Sequence, residues 1–268
     1  MRHGVVTLDV NEDGIGVLTL NDPSSLNAWG EKMKADFAEA IDKVEDPASG
    51  IRCVVITGAG RAFSSGANLN DPDAPPRDRE AEARGEVPTS LEAYYHPMLL
   101  RLRELSVPLV AAVNGVAAGV GMSFALSTDL VVMSKSAYFL QAFARIGLVP
   151  DGGSTYILPR LIGAKRAVEL SLLADKLPAE KALEWGLVNR VVEDNRLMDE
   201  ALALAKRLAT GPMSLGLIRK MYWQSLDNDY PTQLALESKL QTDAGQSRDH
   251  DEGVTAFREK RVAQFEGH

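Results

Sequence analysis

VPLVAAVNGVAAGVGMSFALSTD, residues 107–129, is the stretch from which the rest of the chain can be ordered. Its first part, Val107 to Val113, is an apolar run closed by Asn114-Gly115, the pattern of a buried strand ending in a turn. Gly119 and Gly121 then open Met122 to Thr128, a segment of helix formers with almost no charge. A glycine-lined turn running into a buried helix leaves backbone N–H groups without partners, backed by the positive end of the helix dipole. Such a turn holds negative charge. The other residues must tell which anion it holds.

Composition narrows the answer. A chain of 268 residues, 45% hydrophobic, can bury the core of one large domain, or of a domain with an appendage. The net charge of -8 leaves no basic stripe to neutralise phosphates, which argues against a nucleic-acid partner. No run approaches the roughly 18 apolar residues that span a bilayer. The start, MRHGVVTLDV, lacks a signal-peptide pattern. The single cysteine, Cys53, lies in the strand-like run IRCVVIT and reads as a buried thiol in a reducing cytoplasm, so a cytoplasmic protein is expected. His3, His96, His250 and His268 are scattered, with no metal-ligand spacing.

Outward from the opening stretch, strands alternate with helices. Val5–Val10 and Gly16–Leu20 read as a hairpin about Asn11-Glu12-Asp13-Gly14. Met33, Phe37, Ala40, Ile41 and Val44 mark one face of a helix, and Ile51–Thr57 is a strand buried on both faces. The charged, proline-rich stretch 70–87 reads as a mobile surface loop or lid, and Leu91–Leu105 as a helix. Leu130–Met133, Tyr138-Phe139 and Val188–Val192 are further extended pieces. Ser154–Ile162, Ala164–Leu173 and Ala179–Trp185 are helical. From Leu197 onward the pattern is helical, with breaks near Gly211-Pro212 and at 227–231. The expected architecture is an α/β core over 1–196 followed by a helical C-terminal region over 197–268, suited to oligomerisation.

Five motifs in order carry a family resemblance over essentially the whole chain: LNDPSSLNAW (20–29), VVITGAGRAFSSGANL (54–69), VAAVNGVAAGVGMSFALSTDL (110–130), IGLVPDGGSTYILPRLIG (146–163) and EGVTAFREKR (252–261). The chain resembles the enoyl-CoA hydratase/isomerase (crotonase) superfamily, and in motif most the epoxyphenylacetyl-CoA and enoyl-CoA isomerase branch. The resemblance implies a spiral of ββα units assembled as a trimer or a dimer of trimers. It implies an acyl thioester of coenzyme A as substrate, with no further cofactor. It places an oxyanion hole for the thioester oxygen on the backbone N–H groups of Ala67 and Val120. Loss of one such donor typically costs about 3–4 kcal/mol of transition-state stabilisation.

The departures from the family pattern are as informative. Typical hydratases of the family carry two glutamates, and the equivalent positions here are Ser123 and Phe143. Syn addition of water wants one group to activate the water and another to protonate the α carbon, so hydration by that route is not expected. One acid remains where isomerases of the family carry a catalytic group: Asp151, in Val149-Pro150-Asp151-Gly152-Gly153. A single base can take a proton from one carbon and return it to another, provided an apolar pocket raises its pKa. The same tetrapeptide is also an ordinary turn in which aspartate bonds local backbone, and that reading stays open.

The resemblance places coenzyme A along Ser25, Asn27 and Ala28, along Ser65, Ala67, Asn68 and Leu69, and near Phe257 and Lys260, often from a neighbouring subunit. Ser123 and Phe143 would line the acyl site, with Tyr94, Tyr95 and His96 as further candidates. Asp129 and Arg145 read as structural or contact residues. Asp22 stands where many members have arginine, which removes one expected cation. The function expected is a double-bond or ring-epoxide acyl-CoA isomerase. The alternatives are a hydratase with unusual groups and a non-catalytic acyl-CoA-binding homologue.

Overall fold

The hairpin forms where the Asn-Glu-Asp-Gly turn predicts it: strand β1 (Val6–Val10) pairs antiparallel with β2 (Ile15–Leu20). Asn11 fixes the turn, its Oδ1 accepting from the N–H of Asp13 at 3.1 Å and of Ile15 at 2.9 Å. Helix α1 (Glu31–Glu45) buries Met33, Phe37, Ala40, Ile41 and Val44, the five positions its spacing marks. The architecture comes from a computed structural model that describes residues 4–268.

The next strands are β3 (Cys53–Gly58) and β4 (Ala62–Ser64), followed by the short helix α2 (Arg79–Ala83) and by α3 (His96–Glu104). Then come β5 (Leu109–Val113), β6 (Val116–Ala118) and α4 (Val120–Leu126). The third unit is β7 (Leu130–Ser134), β8 (Tyr138–Leu140), α5 (Ser154–Ile162) and α6 (Ala164–Leu173). Each unit lays its first strand in a large sheet and its second in a small one, then closes with helix. β9 (Lys176–Pro178), α7 (Ala179–Trp185) and β10 (Arg190–Val192) make a last turn in the reverse sense. The large sheet runs β1-β2-β3-β5-β7-β10 and the small one β4-β6-β8-β9. The result is the ββα spiral that the resemblance implies.

The near-continuous apolar runs of β3 and β5 follow from burial on both faces. Val54, Ile56, Leu109, Ala111 and Val113 point into the main core with Phe37 and Met122. Cys53, Val55, Val110 and Ala112 point the other way, onto Leu197, Ala201, Leu204 and Ala205 of helix α8 (Leu197–Ala209). Burial pushes the Cys53 thiol up to about 12, so it stays protonated. Because α8 roofs the large sheet, the first helix of the region from 197 belongs to the core. Helices α9 (Ser214–Ser225), α10 (Tyr230–Gly245) and α11 (Arg248–Glu259) follow it.

The stretch 91–105 is not one regular helix. Leu91–Tyr95 is a π-turn, with the His96 N–H donating back to the Leu91 carbonyl, and α3 starts only after it. Pro97 explains the change: it has no N–H, and its ring clashes with the carbonyl four residues back, so an α-helix cannot run through unaltered. The loop before it is tied at both ends to the first turn of α1. The N-cap of α1 is Gly30, which has no side chain, and Asp71 supplies the missing acceptor by taking the Glu31 N–H at 2.6 Å. At the far end Lys34 Nζ donates to Ser90 Oγ at 3.1 Å.

Helix α9 is fastened by a buried ion pair. The Arg219 side chain, 2% exposed, donates through Nε to Asp129 Oδ2 at 2.6 Å. Its other nitrogens reach the carbonyls of Leu102, Arg103 and Leu105, at the end of α3. Asp129 also accepts from Leu109 N–H at 2.7 Å and Trp223 Nε1 at 3.1 Å, the structural role expected of it. Among the described residues no helix is long and apolar enough to cross a membrane, and no group of three or more metal-ligating side chains assembles. Replacing Arg219 by Met leaves Asp129 without its buried cation. We expect a loss of about 3–5 kcal/mol in urea unfolding. An unchanged unfolding midpoint would show that the pair adds nothing.

Candidate active site

The site is built by two loops that approach more closely than side chains would permit. Asn27, fully buried, donates through Nδ2 to the carbonyls of Ala59 at 3.0 Å and Ala62 at 2.8 Å, and accepts from Asp22 N–H at 2.9 Å. Its own carbonyl takes Ser64 Oγ at 2.8 Å, which fastens the loop after β2 to β4. Trp29 continues the join, donating its N–H to the Gly66 carbonyl at 2.8 Å and accepting the Asn68 N–H at 3.2 Å. Gly66, at φ +94, lies against β6: a Cβ there would stand 2.8 Å from the Ala118 carbonyl oxygen. Gly121 faces Ser64, whose Cβ would be 2.7 Å from a Cβ on the glycine. Ala67 and Val120 are thereby set side by side, one just past β4 and the other opening α4. Among the described residues neither backbone N–H meets an acceptor.

The loop carrying Asp151 packs on the same turn. Gly152, at φ +60, sits on Ser123 and Val120, where a Cβ would come within 2.8 Å of Ser123 Oγ and 3.3 Å of Val120 Cγ2. Ser123 Oγ bonds Ser154 Oγ at 2.9 Å and donates to the Asp151 carbonyl at 3.3 Å. Ser154 Oγ also donates to that carbonyl, at 2.5 Å. The main chain of Asp151 is held while its carboxyl is left over: Oδ1 is buried and meets no partner among the described residues. The side chain therefore does not make the local backbone bond of an ordinary Asp turn. Burial raises it to about 6, against a smaller downward pull from His96. Phe143 is buried with its ring toward Gly119, a Cβ on which would lie 3.6 Å from Cζ. Beside the Asp151 loop, positions 123 and 143 hold a serine tied to that loop and a phenyl ring, with no carboxylate at either.

The remaining predicted contacts divide into two groups. Ser65, Asn68 and the exposed Leu69 lie on the strip that carries Ala67. Ser25 turns inward, donating to Asp22 Oδ2 at 2.5 Å and accepting the Ala28 N–H at 3.2 Å. The hydroxyls of Ser24 and Ser25 hold the Asp22 carboxyl below the usual range, so the residue that replaces the expected arginine organises this loop. The Asn27 side chain has its bonding capacity spent within the chain. Phe257, 84% exposed, and Lys260 are not brought to the site within one chain. The tail after α11 lies beside Arg52, at the start of β3, whereas Ala67 follows the other end of that strand. Arg145 is exposed and donates to the Ala174 carbonyl. The sequence reading passed over Trp29 and Ser154. Trp29 sits in a loop, where periodicity carries no signal. Ser154 becomes meaningful only once Ser123 is known to face it.

Three comparisons set this geometry among known proteins. The family model for enoyl-CoA hydratase/isomerase matches residues 10–268. The 1,2-epoxyphenylacetyl-CoA isomerase of Escherichia coli K12 is 45% identical over 260 residues, covering 96% of each chain. A Rhodobacter capsulatus protein named "Probable enoyl-CoA hydratase" is 40% identical over 268 residues and the whole of both chains. A solved Mycobacterium abscessus structure assigned to enoyl-CoA hydratase/isomerase superposes with a TM-score of 0.89 at 34% identity, covering 98% of this chain and 100% of that one. With its ββα spiral and its two abutting glycine turns, the chain belongs to the enoyl-CoA hydratase/isomerase family.

Proposed function

We propose that the chain is an acyl-CoA isomerase that works through a thioester enolate. The observation that carries this reading is a single unpartnered carboxyl, the half-buried Asp151, on a loop packed against the turn that bears the unbonded Val120 N–H, with no second acid at Ser123 or Phe143. In the simplest case the Asp151 carboxylate removes a proton from C2 of a 3-enoyl thioester. The electron pair moves onto the thioester oxygen, which the N–H groups of Ala67 and Val120 hold as a dienolate. The same carboxyl then delivers the proton to C4, and the double bond ends between C2 and C3. One group suffices because the proton leaves and returns on one face. The name of the Escherichia coli relative favours a ring-epoxide acyl-CoA as the natural case, opened through the same stabilised oxygen.

Hydration remains the second reading, because hydratase names occur among the relatives. It would need Asp151 to activate water without a partner acid. A non-catalytic acyl-CoA-binding homologue is the third. Incubation with 3-enoyl- and 2-enoyl-CoA, followed by the absorbance of the conjugated thioester, separates the three. Gain of the conjugated band from the 3-enoyl substrate supports isomerisation, loss of it from the 2-enoyl substrate supports hydration, and absence of turnover on a broad acyl-CoA panel with binding retained supports binding alone.

Two outcomes are expected of the catalytic carboxyl. Asp151→Asn should lower isomerase turnover about a hundredfold to ten-thousandfold. Unchanged turnover would reject the assignment. In the native enzyme kcat/KM should rise with pH through about 6, where Asp151 ionises. The stability effect has the opposite sense. A carboxyl raised from 3.8 to about 6 by folding makes the native state lose stability as pH climbs through that window. Asp151→Asn should therefore be more stable than the native protein above about pH 6, with the difference vanishing toward pH 4. A constant difference across that range would count against it.

We further propose a homotrimer or a dimer of trimers. Exposed apolar side chains on α6, with Leu172 72% exposed and Leu173 60%, support association. A neighbouring subunit could then bring Phe257 and Lys260 to the nucleotide end of coenzyme A. Light scattering that gives only the monomer mass would overturn this.

A further inference from the structure

The segment that carries Asp151 has little to hold it in place. Leu148 and Val149 before it are exposed, and Gly152 and Gly153 after it both take left-handed backbone, at φ +60 and +79. Glycine permits those turns but offers no side chain to fix them. Among the described residues, the only side chains that bond the main chain of 149–153 are the buried Ser123 and Ser154. They come from different elements: Ser154 opens α5, and Ser123 lies on α4, three residues beyond Val120.

Counting lone pairs gives the direction of these bonds. A carbonyl oxygen has two. Ser154 fills both on Asp151, with its N–H at 3.1 Å and its hydroxyl at 2.5 Å. The Ser123 hydroxyl stands 3.3 Å from the same carbonyl but only 2.9 Å from Ser154 Oγ, its nearer acceptor. The result is a relay from Ser123 O–H through Ser154 O–H to the Asp151 carbonyl, in which each bond polarises the next. A serine inside a helix ordinarily turns its hydroxyl back to the carbonyl four residues earlier. Here that carbonyl, of Gly119, is 3.5 Å away, so Ser123 serves the loop before its own helix. The relay has no slack, because Gly152 seats directly on Ser123, where a Cβ would come within 2.8 Å of the serine Cβ.

We propose that Ser123 and Ser154 are positioning residues, whose hydroxyl relay fixes the Asp151 carboxyl in register with the Val120 N–H. The relay joins the turn that would hold the enolate oxygen to the loop that would move the proton, and it does so without a bond to the carboxyl. The inference rests on the isomerase reading above and adds what keeps its two halves aligned. Without the relay, the exposed segment before Asp151 lets the loop swing outward and carries the carboxyl toward water. Of the elements packed around that carboxyl, α4 and the start of α5 bring no titratable group, and Tyr95 and His96 face it from the π-turn and the start of α3.

The test uses the full chain and the variants Ser123→Ala, Ser154→Ala and the two combined. Steady-state kinetics are measured on a 3-enoyl-CoA, and the Asp151 carboxyl carbon is titrated by NMR, its signal assigned by its absence from Asp151→Asn. Ser123→Ala should lower kcat about tenfold and Ser154→Ala about tenfold to a hundredfold, each with KM within about twofold, the mark of a displaced base. The combined variant should be no slower than Ser154→Ala, since either change breaks the same relay. In every variant the carboxyl should titrate below the native midpoint of about 6, because it has been let out toward water. Should Ser154→Ala fail to fold, Ser123→Ala decides alone. Hydroxyls that serve only folding would lower the unfolding midpoint and leave kcat and the titration unmoved. That outcome, or losses that add in the combined variant, overturns this inference only. A native protein that turns over no thioester overturns the isomerase reading instead. The titration needs no substrate and then settles the positioning role by itself: a fall in midpoint supports it and an unchanged midpoint overturns it.

Discussion

The close approach of two backbone segments, Gly66 on Ala118 and Gly121 on Ser64, is the constraint on which the site depends. Side chains at either glycine would push the ends of β4 and β6 apart. The Ala67 and Val120 N–H groups would then no longer stand together. The rest of the spiral can be seen as support for that contact. The long strands of the large sheet give it a rigid base, and three-residue strands suffice in the small sheet because they need only carry the chain to the turn. Asn27 braces it from the preceding loop through its side-chain amide on the Ala59 and Ala62 carbonyls, and Trp29 through main-chain bonds to Gly66 and Asn68.

The site combines fixed main chain with unpaired polar groups. Ser123 and Ser154 hold the Asp151 carbonyl, so the loop is positioned without spending the carboxyl. The carboxyl stays half-buried and reluctant to ionise, the condition under which it can serve as a base near neutral pH. Leaving charge and donors without partners lowers the stability of the folded chain, and the large two-faced core offsets that cost.

Much of this is legible in the sequence. The hairpin about Asn11–Gly14, the buried face of α1 and the breaks at Gly211-Pro212 and 227–231 follow from turn chemistry and period. The small sheet was not legible in full, because β4, β6 and β9 are three residues long and too short to show a period. The π-turn at Leu91–Tyr95 was masked by a helical apolar spacing that Pro97 overrides. The boundary at 196 separated α8 from the core because its apolar face alone does not say what it packs against; the sheet's second face does.

For the site, the family resemblance nominates Asp151 and the backbone of Ala67 and Val120, and the residue types show that Ser123 and Phe143 carry no acid. These are properties of identity along the chain, and one dimension suffices for them. Whether the Asp151 side chain bonds its own turn or stays free, and whether Asn27 faces ligand or loop, depended on which distant groups came within bonding distance. The Asp151 Oδ1 meets no partner, and the carbonyls of Ala59 and Ala62, distant in sequence, take the Asn27 amide. The unpaired Asp151 carboxyl could be recognised only in three dimensions, since a group is unpaired only with respect to everything that surrounds it.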